Sequence, residues 1–205
     1  MRTLTTSALA LATILALAAC GDDAPDGVVA DQVSPGIPHA EVQAQKQTAA
    51  MMPAAAAATA TLAATEGSIV SGDLRFEAIE GGVHVTGRLV RLEPNSTHGF
   101  HVHETGDCSA PDATSAGGHF NPMNTAHGRV GTPTHHVGDT DNVVADADGN
   151  AAVDHRLEGA TLGDNASTDI VGKAVIVHEG VDDYTSQPTG DAGARLACGV
   201  IEAAS

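Results

Sequence analysis

From about residue 57 onward, apolar and polar positions alternate in short runs, and no stretch shows the three-to-four spacing of an amphipathic helix. Leu74-Arg75-Phe76-Glu77-Ala78-Ile79 has the period of two of a strand with one buried face, and Val83-His84-Val85-Thr86-Gly87-Arg88-Leu89-Val90 repeats it after Glu80-Gly81-Gly82. The pair predicts a hairpin with His84 on its solvent face. Thr59 to Thr65 predicts an earlier strand. His98 to Glu104 predicts another, in which Phe100 and Val102 alternate with His101 and His103. Asn142 to Ala147, a turn at Asp148-Gly149-Asn150, and Ala151 to Leu157 predict a second hairpin. Lys173 to His178 and Ala194 to Glu202 supply the last strands. Thr105 to Thr140 and Gly180 to Gly193 carry no such period, and loops of that length in a compact domain are usually functional or disordered. The pattern predicts an all-β fold, an antiparallel Greek-key β-sandwich or flattened barrel with two long functional loops.

The N-terminal part reads differently. Residues 1–19 form a signal segment, with Arg2 as its basic start and Ala8 to Ala16 as an apolar run too short for a comfortable membrane span. Leu17-Ala18-Ala19-Cys20-Gly21 resembles a bacterial lipobox, which implies cleavage before Cys20 and acylation of that residue; several acyl chains would give stable anchoring. Residues 20–56, with Asp22, Asp23, Asp26, Asp31 and four prolines, predict a disordered tether. Within it His39, Met51 and Met52 offer weak copper ligands, and a solvated linker is the preferred reading. Residues 57–205 make one domain of about 150 residues, a common size for a single core.

Composition narrows the picture. Tryptophan is absent and aromatics are 2% of the chain, so a core must come from Val, Ile, Leu and Ala, which suits strands. The formal net charge of −17, with lysine only at Lys46 and Lys173, excludes a phosphate-binding surface and hence nucleic acid as a partner. With Cys20 acylated, Cys108 and Cys198 remain as a pair for an oxidising compartment. Two free thiols or thiolate ligands are the alternative.

Seven of the 11 histidines fall between His98 and Asp139, at positions 98, 101, 103, 119, 127, 135 and 136. On a strand His101 and His103 share one side of the sheet, whereas on a helix they would sit about 200° apart and could hardly share an ion. Imidazole is the commonest protein ligand of zinc and copper, so the density points to a metal site.

These motifs together resemble copper–zinc superoxide dismutase. The matching stretches are Gly99-Phe100-His101-Val102-His103-Glu104, Ser115-Ala116-Gly117-Gly118-His119-Phe120-Asn121-Pro122, His136-Val137-Gly138-Asp139, Val177-His178-Glu179 and Gly193-Ala194-Arg195-Leu196-Ala197-Cys198-Gly199. They run in the family's order from about Gly67 to Ile201. The resemblance implies copper on His101, His103, His119 and His178, and zinc on His119, His127, His136 and Asp139. His119 would be the shared imidazolate and a proton carrier. Arg195 would dock the superoxide anion, Asp182 would orient one copper and one zinc histidine, and Thr189 would line the channel. His98 matches a structural histidine. His155 has no counterpart, which leaves a surface position as its default, and His136 is preferred over its neighbour His135 on the His-Val-Gly-Asp match.

The implied activity is dismutation of superoxide to dioxygen and hydrogen peroxide, in a periplasmic or cell-surface protein lipid-anchored to a bacterial membrane. The alternative is a non-catalytic copper or zinc storage or delivery protein of the same fold. The interface strands carry no readable signal, which leaves a homodimer open. Two features depart from the commoner pattern. The stretch from Glu179 to Arg195 has no lysine to steer an anion, and Cys108 stands eleven residues before His119, a spacing that resembles the bacterial branch.

Overall fold

The computed structural model describes residues 57–204. The signal and tether assignments at 1–19 and 20–56, with Cys20, His39, Met51 and Met52, lie outside the described residues. Ten strands follow in order: β1 (Ala57–Ala64), β2 (Ser71–Ile79), β3 (Gly82–Val90), β4 (Thr97–His98), β5 (Phe100–His103), β6 (Val143–Val144), β7 (Ala151–Glu158), β8 (Ala174–His178), β9 (Arg195–Val200) and β10 (Glu202–Ala203). Seven of them hydrogen-bond in the order β5-β8-β9-β1-β2-β3-β7, with β10 also on β1, and β4 pairs with β6. Every strand pairing is antiparallel. The helical content of the described residues is a single 3-10 turn, Thr114–Ala116.

The period-two pattern sets the register. Phe76 lies opposite Val85 across β2 and β3, and both point inward with no exposed surface. Leu62, Leu74, Val83, Leu89, Phe100, Val102, Leu157 and Ile170 fill the same core, each such side chain contributing about 1.5–3 kcal/mol by leaving water. His84, between two buried valines, faces outward and pairs its Nε2 with Asp154 at 2.6 Å.

Three details differ from the pattern read along the chain. The 142–157 hairpin does not form: β6 is two residues long and pairs with β4, while β7 pairs with β3 along its whole length. The Asp148-Gly149-Asn150 turn is present, with Asp146 N–H donating to the Asn150 carbonyl at 2.8 Å, but the strands then diverge to different partners. The strand from His98 breaks at Gly99, whose carbonyl and N–H turn to His178 and Gly180. His155 is half-buried rather than on the surface, edge-on to Phe100 at 5.6 Å.

The first long loop is tied to the sheet. Val102 N–H donates to the Gly138 carbonyl, Phe120 N–H to the Val102 carbonyl, and Gly138 N–H to the Phe120 carbonyl, all within 2.9 Å. That backbone triangle brings two points of the loop, Phe120 and Gly138, beside Val102 of β5. Only glycine fits at 138, where a Cβ would stand 2.2 Å from the Val102 carbonyl oxygen. Cys108 and Cys198 form a disulfide that ties the first loop to β9.

Candidate metal centre

β5 places His101 and His103, and its partner β8 ends at His178 beside them. His119 joins through a short antiparallel bridge to His103. The four are buried and offer ligand atoms within 4.8 Å of one another. His119, His127, His136 and Asp139 form a second buried group on the same criterion, so His119 is common to both.

In four of the rings, those of His101, His103, His127 and His178, the nitrogen turned away from the centre has a partner. His103 Nδ1 donates to the Gly117 carbonyl at 2.9 Å, and His178 Nδ1 to the Gly193 carbonyl at 3.3 Å. Their Nε2 atoms face one another at 3.3 Å. The Asp182 carboxylate accepts from His101 Nε2 at 2.8 Å and from His127 Nε2 at 2.9 Å, one oxygen each. Such outer partners fix the tautomer and ring direction of a ligating histidine. The Nδ1 atoms of His101, His127 and His136 and the Nε2 of His119 are buried with no hydrogen-bond partner. An orphaned buried nitrogen costs about 1–3 kcal/mol, so four together call for something to bind them.

The second group has the dimensions of a tetrahedral site. Asp139 Oδ1 lies 2.8 Å from His119 Nδ1, 3.1 Å from His127 Nδ1 and 3.3 Å from His136 Nδ1. A tetrahedral zinc with arms of about 2.0 Å has edges of about 3.3 Å. The other oxygen, Oδ2, accepts from the N–H groups of His136 and Gly128 at 2.8 and 3.2 Å, which leaves Oδ1 facing the three rings. The residues present therefore fit zinc here and copper in the all-imidazole group, where nitrogen ligands suit a redox-active ion.

Electrostatics separate the two halves. Burial lowers His178 to about 3 and His119 to about 4, and holds His103 well below its ordinary value, so all three stay neutral. Burial also acts against a charge on His127, but the Asp139 carboxylate 3.1 Å from Nδ1 and the bond of Nε2 to the Asp182 carboxylate outweigh that and raise it to about 9. Against their own burial, Asp139 and Asp182 are held well below the usual carboxylate range by the surrounding imidazoles.

Arg195, at the start of β9, is half-buried and donates to the carbonyls of Ala113 at 2.5 Å and Gly117 at 2.6 Å. Gly117 O thus holds both Arg195 and His103 of the all-imidazole group. Thr189 is half-buried in the second loop. His98 bridges Ser96 Oγ and the His178 carbonyl, a bracing role beneath the all-imidazole group. His135 turns away, its Nδ1 on the Thr132 carbonyl at 3.0 Å, and His136 faces the site. Gln187 and Asn142 carried no motif, yet both bond to the site's backbone; only contacts across the fold reveal them.

The family model described as copper/zinc superoxide dismutase matches residues 70–201. A superoxide dismutase [Cu-Zn] of Aquifex aeolicus is 38% identical over 147 residues, covering 70% of this chain and 85% of that protein. A superoxide dismutase [Cu-Zn] of Mesembryanthemum crystallinum is 43% identical, covering 64% and 86%. The crystal structure of a SOD-like protein from Bacillus subtilis superposes with a TM-score of 0.63 at 36% identity, over 69% of this chain and 96% of that one.

Proposed function

We propose that this chain, which belongs to the copper/zinc superoxide dismutase family, converts two superoxide anions and two protons to dioxygen and hydrogen peroxide at the paired histidine groups. The observation that carries the reading is His119, which directs Nδ1 to Asp139 in one group and a buried, unpartnered Nε2 to the other. His101, His103, His119 and His178 would hold copper, and His119, His127, His136 and Asp139 zinc. Bound copper would supply one-electron redox chemistry, while zinc, which has none, would fix geometry.

The chain's own residues do the rest. Arg195, braced on two carbonyls, presents its guanidinium to an incoming anion beside the copper-side imidazoles. His119 Nε2 takes up and gives back a proton on the copper side while Nδ1 stays committed to the Asp139 side. Asp182 keeps His101 and His127 in one tautomer each. The lipobox-like stretch ending at Cys20 supports a lipid-anchored protein at the periplasmic or outer face of a bacterial membrane, with residues 20–56 as its tether.

The test is metal content and superoxide dismutation on one sample with the disulfide intact. About one copper and one zinc per chain with copper-dependent activity is expected. Stoichiometric metals with no dismutation above that of free copper would overturn the catalytic reading in favour of storage or delivery.

A further inference from the structure

Two side-chain amides join the long loops across the site, and neither is a ligand. Gln187 reaches from the second loop to the backbone of His127: Oε1 accepts from its N–H at 2.8 Å, and Nε2 donates to its carbonyl at 2.9 Å. Asn142 reaches the other way, to Asp182: Oδ1 accepts from its N–H and Nδ2 donates to its carbonyl, both at 2.9 Å. An amide that satisfies both backbone groups of one residue copies a β-ladder pair and fixes that residue's position and rotation together. The residues so gripped are the two ends of the bond from His127 Nε2 to Asp182 Oδ1.

Tyr184 completes the grip on Asp182. Its N–H donates to Asp182 Oδ1 at 2.7 Å, and its hydroxyl accepts from Asn142 N and Nδ2 at 2.9 and 2.8 Å. It does so with φ at 61°, a left-handed conformation costly for an aromatic residue and kept only where the surroundings impose it. Above the bond, Gly190 has φ at 68°, and a Cβ there would stand 1.9 Å from Asp182 Oδ1, so nothing but glycine leaves room for it.

We propose that Gln187 and Asn142 are positioning residues for the metal pair, Gln187 setting the zinc-side His127 alone and Asn142, through Asp182, setting His101 and His127 together. The proposal rests on reading the two groups as copper and zinc sites. The asymmetry follows from connectivity. Asp182 bonds a histidine of each group, whereas Gln187 bonds only His127 and the Thr185 carbonyl of its own loop.

The experiment compares the unsubstituted chain with Gln187→Ala, Gln187→Glu and Asn142→Ala. Zinc affinity is read by competition with a chromophoric chelator, zinc-side geometry by the visible bands of cobalt(II), and the copper side by copper(II) EPR. Gln187→Ala is expected to weaken zinc about tenfold and change the cobalt bands while leaving the copper spectrum as it was. Gln187→Glu, which keeps the oxygen acceptor, should recover part of the loss, and Asn142→Ala should change both spectra. Gln187 is exposed, so its replacement tests the idea without endangering the fold. Zinc affinity within twofold and unchanged cobalt bands in Gln187→Ala would overturn the proposal, even if the metal-free chain melted lower. Failure of the unsubstituted chain to bind cobalt or copper would instead overturn the metal-centre reading beneath it.

Discussion

Removing the Cys108–Cys198 disulfide should cost the metal-free chain a large part of its stability. The bridge closes a loop with a sequence separation of 90 residues. On the chain-entropy account a loop of that size is worth roughly 4–5 kcal/mol, because the unfolded chain can no longer open it. Cys198 is buried in a small cluster with Ala113, Ala116, Ala174 and Ile176, so a double Cys108→Ala/Cys198→Ala variant loses about 1 kcal/mol more in packing. For a domain of about 150 residues the unfolding entropy near 60 °C is about 0.3 kcal/mol/K, so the combined loss converts to a fall in Tm of roughly 15–20 °C. Thermal melts by circular dichroism, on metal-free samples with and without the double substitution, measure it directly. A fall of less than about 5 °C would refute the loop-closure argument. The bridge has a second consequence, because the loop it anchors carries the Ala113 and Gly117 carbonyls that seat Arg195. A variant refolded with metal should therefore lose turnover beyond what its lower stability explains.

Arg195→Gln should slow superoxide turnover roughly tenfold while sparing copper binding, since one guanidinium is asked to dock the anion; full activity at low salt in that variant would remove Arg195 from the mechanism. Raising ionic strength should leave turnover flat or raise it, because the second loop offers Asp182, Asp183 and Asp191 and no lysine in a chain of net charge −17; a steep fall with salt would show a steering field from elsewhere. Zinc affinity should drop about tenfold per unit as pH falls below about 9, because His127 is raised to about 9 by its two carboxylates and zinc must displace that proton. The sign is fixed by the raised value: the metal-free site holds the proton throughout that range, and a pH-independent affinity between 6 and 8, measured by chelator competition, would contradict it.

Much of the fold was legible because period-two alternation is a local signal. β2, β3, β8 and β9 lie where the apolar runs place them, to within a few residues, and the 74–90 hairpin forms as read. The pairing of β6 was not legible, since Asn142 to Ala147 alternates like a strand but contributes only two residues, opposite β4. Partner choice is decided by distant chain, and a nearby turn such as Asp148-Gly149-Asn150 suggests the wrong neighbour. His155 was misplaced for another reason. On β7 it shares the inward face with Val153 and Leu157, where it packs edge-on to Phe100, and the surface default rests only on its lack of a counterpart in the family. The histidines of both groups were legible through the density and order of their motifs, whereas Gln187, Asn142 and Tyr184 hold the site by contacts spanning 40 to 60 residues and leave no local trace.

On the proposed assignment, the distribution of the candidate ligands over the fold would give the two metals unequal jobs. His101 and His103 lie on β5 and His178 ends β8, so the copper side has three of its four imidazoles on paired strands with fully buried neighbours. His127, His136 and Asp139 lie on the long first loop, and His119 is joined to the sheet only by a short bridge. Backbone ladders therefore set the copper side before any ion arrives, whereas the zinc side depends on the Val102–Phe120–Gly138 triangle and on carboxylates that need a positive partner. Asp139 and the three Nδ1 atoms would hold a cation there, which would satisfy His127 and His136, whose buried Nδ1 atoms have no other partner. Because His119 belongs to both groups, order gained at the zinc side is passed to the one copper-side imidazole that no strand of the main sheet holds. Zinc should accordingly sharpen the copper site without touching the substrate, and by linkage any gain in copper affinity caused by zinc is matched by an equal gain in zinc affinity when copper is bound.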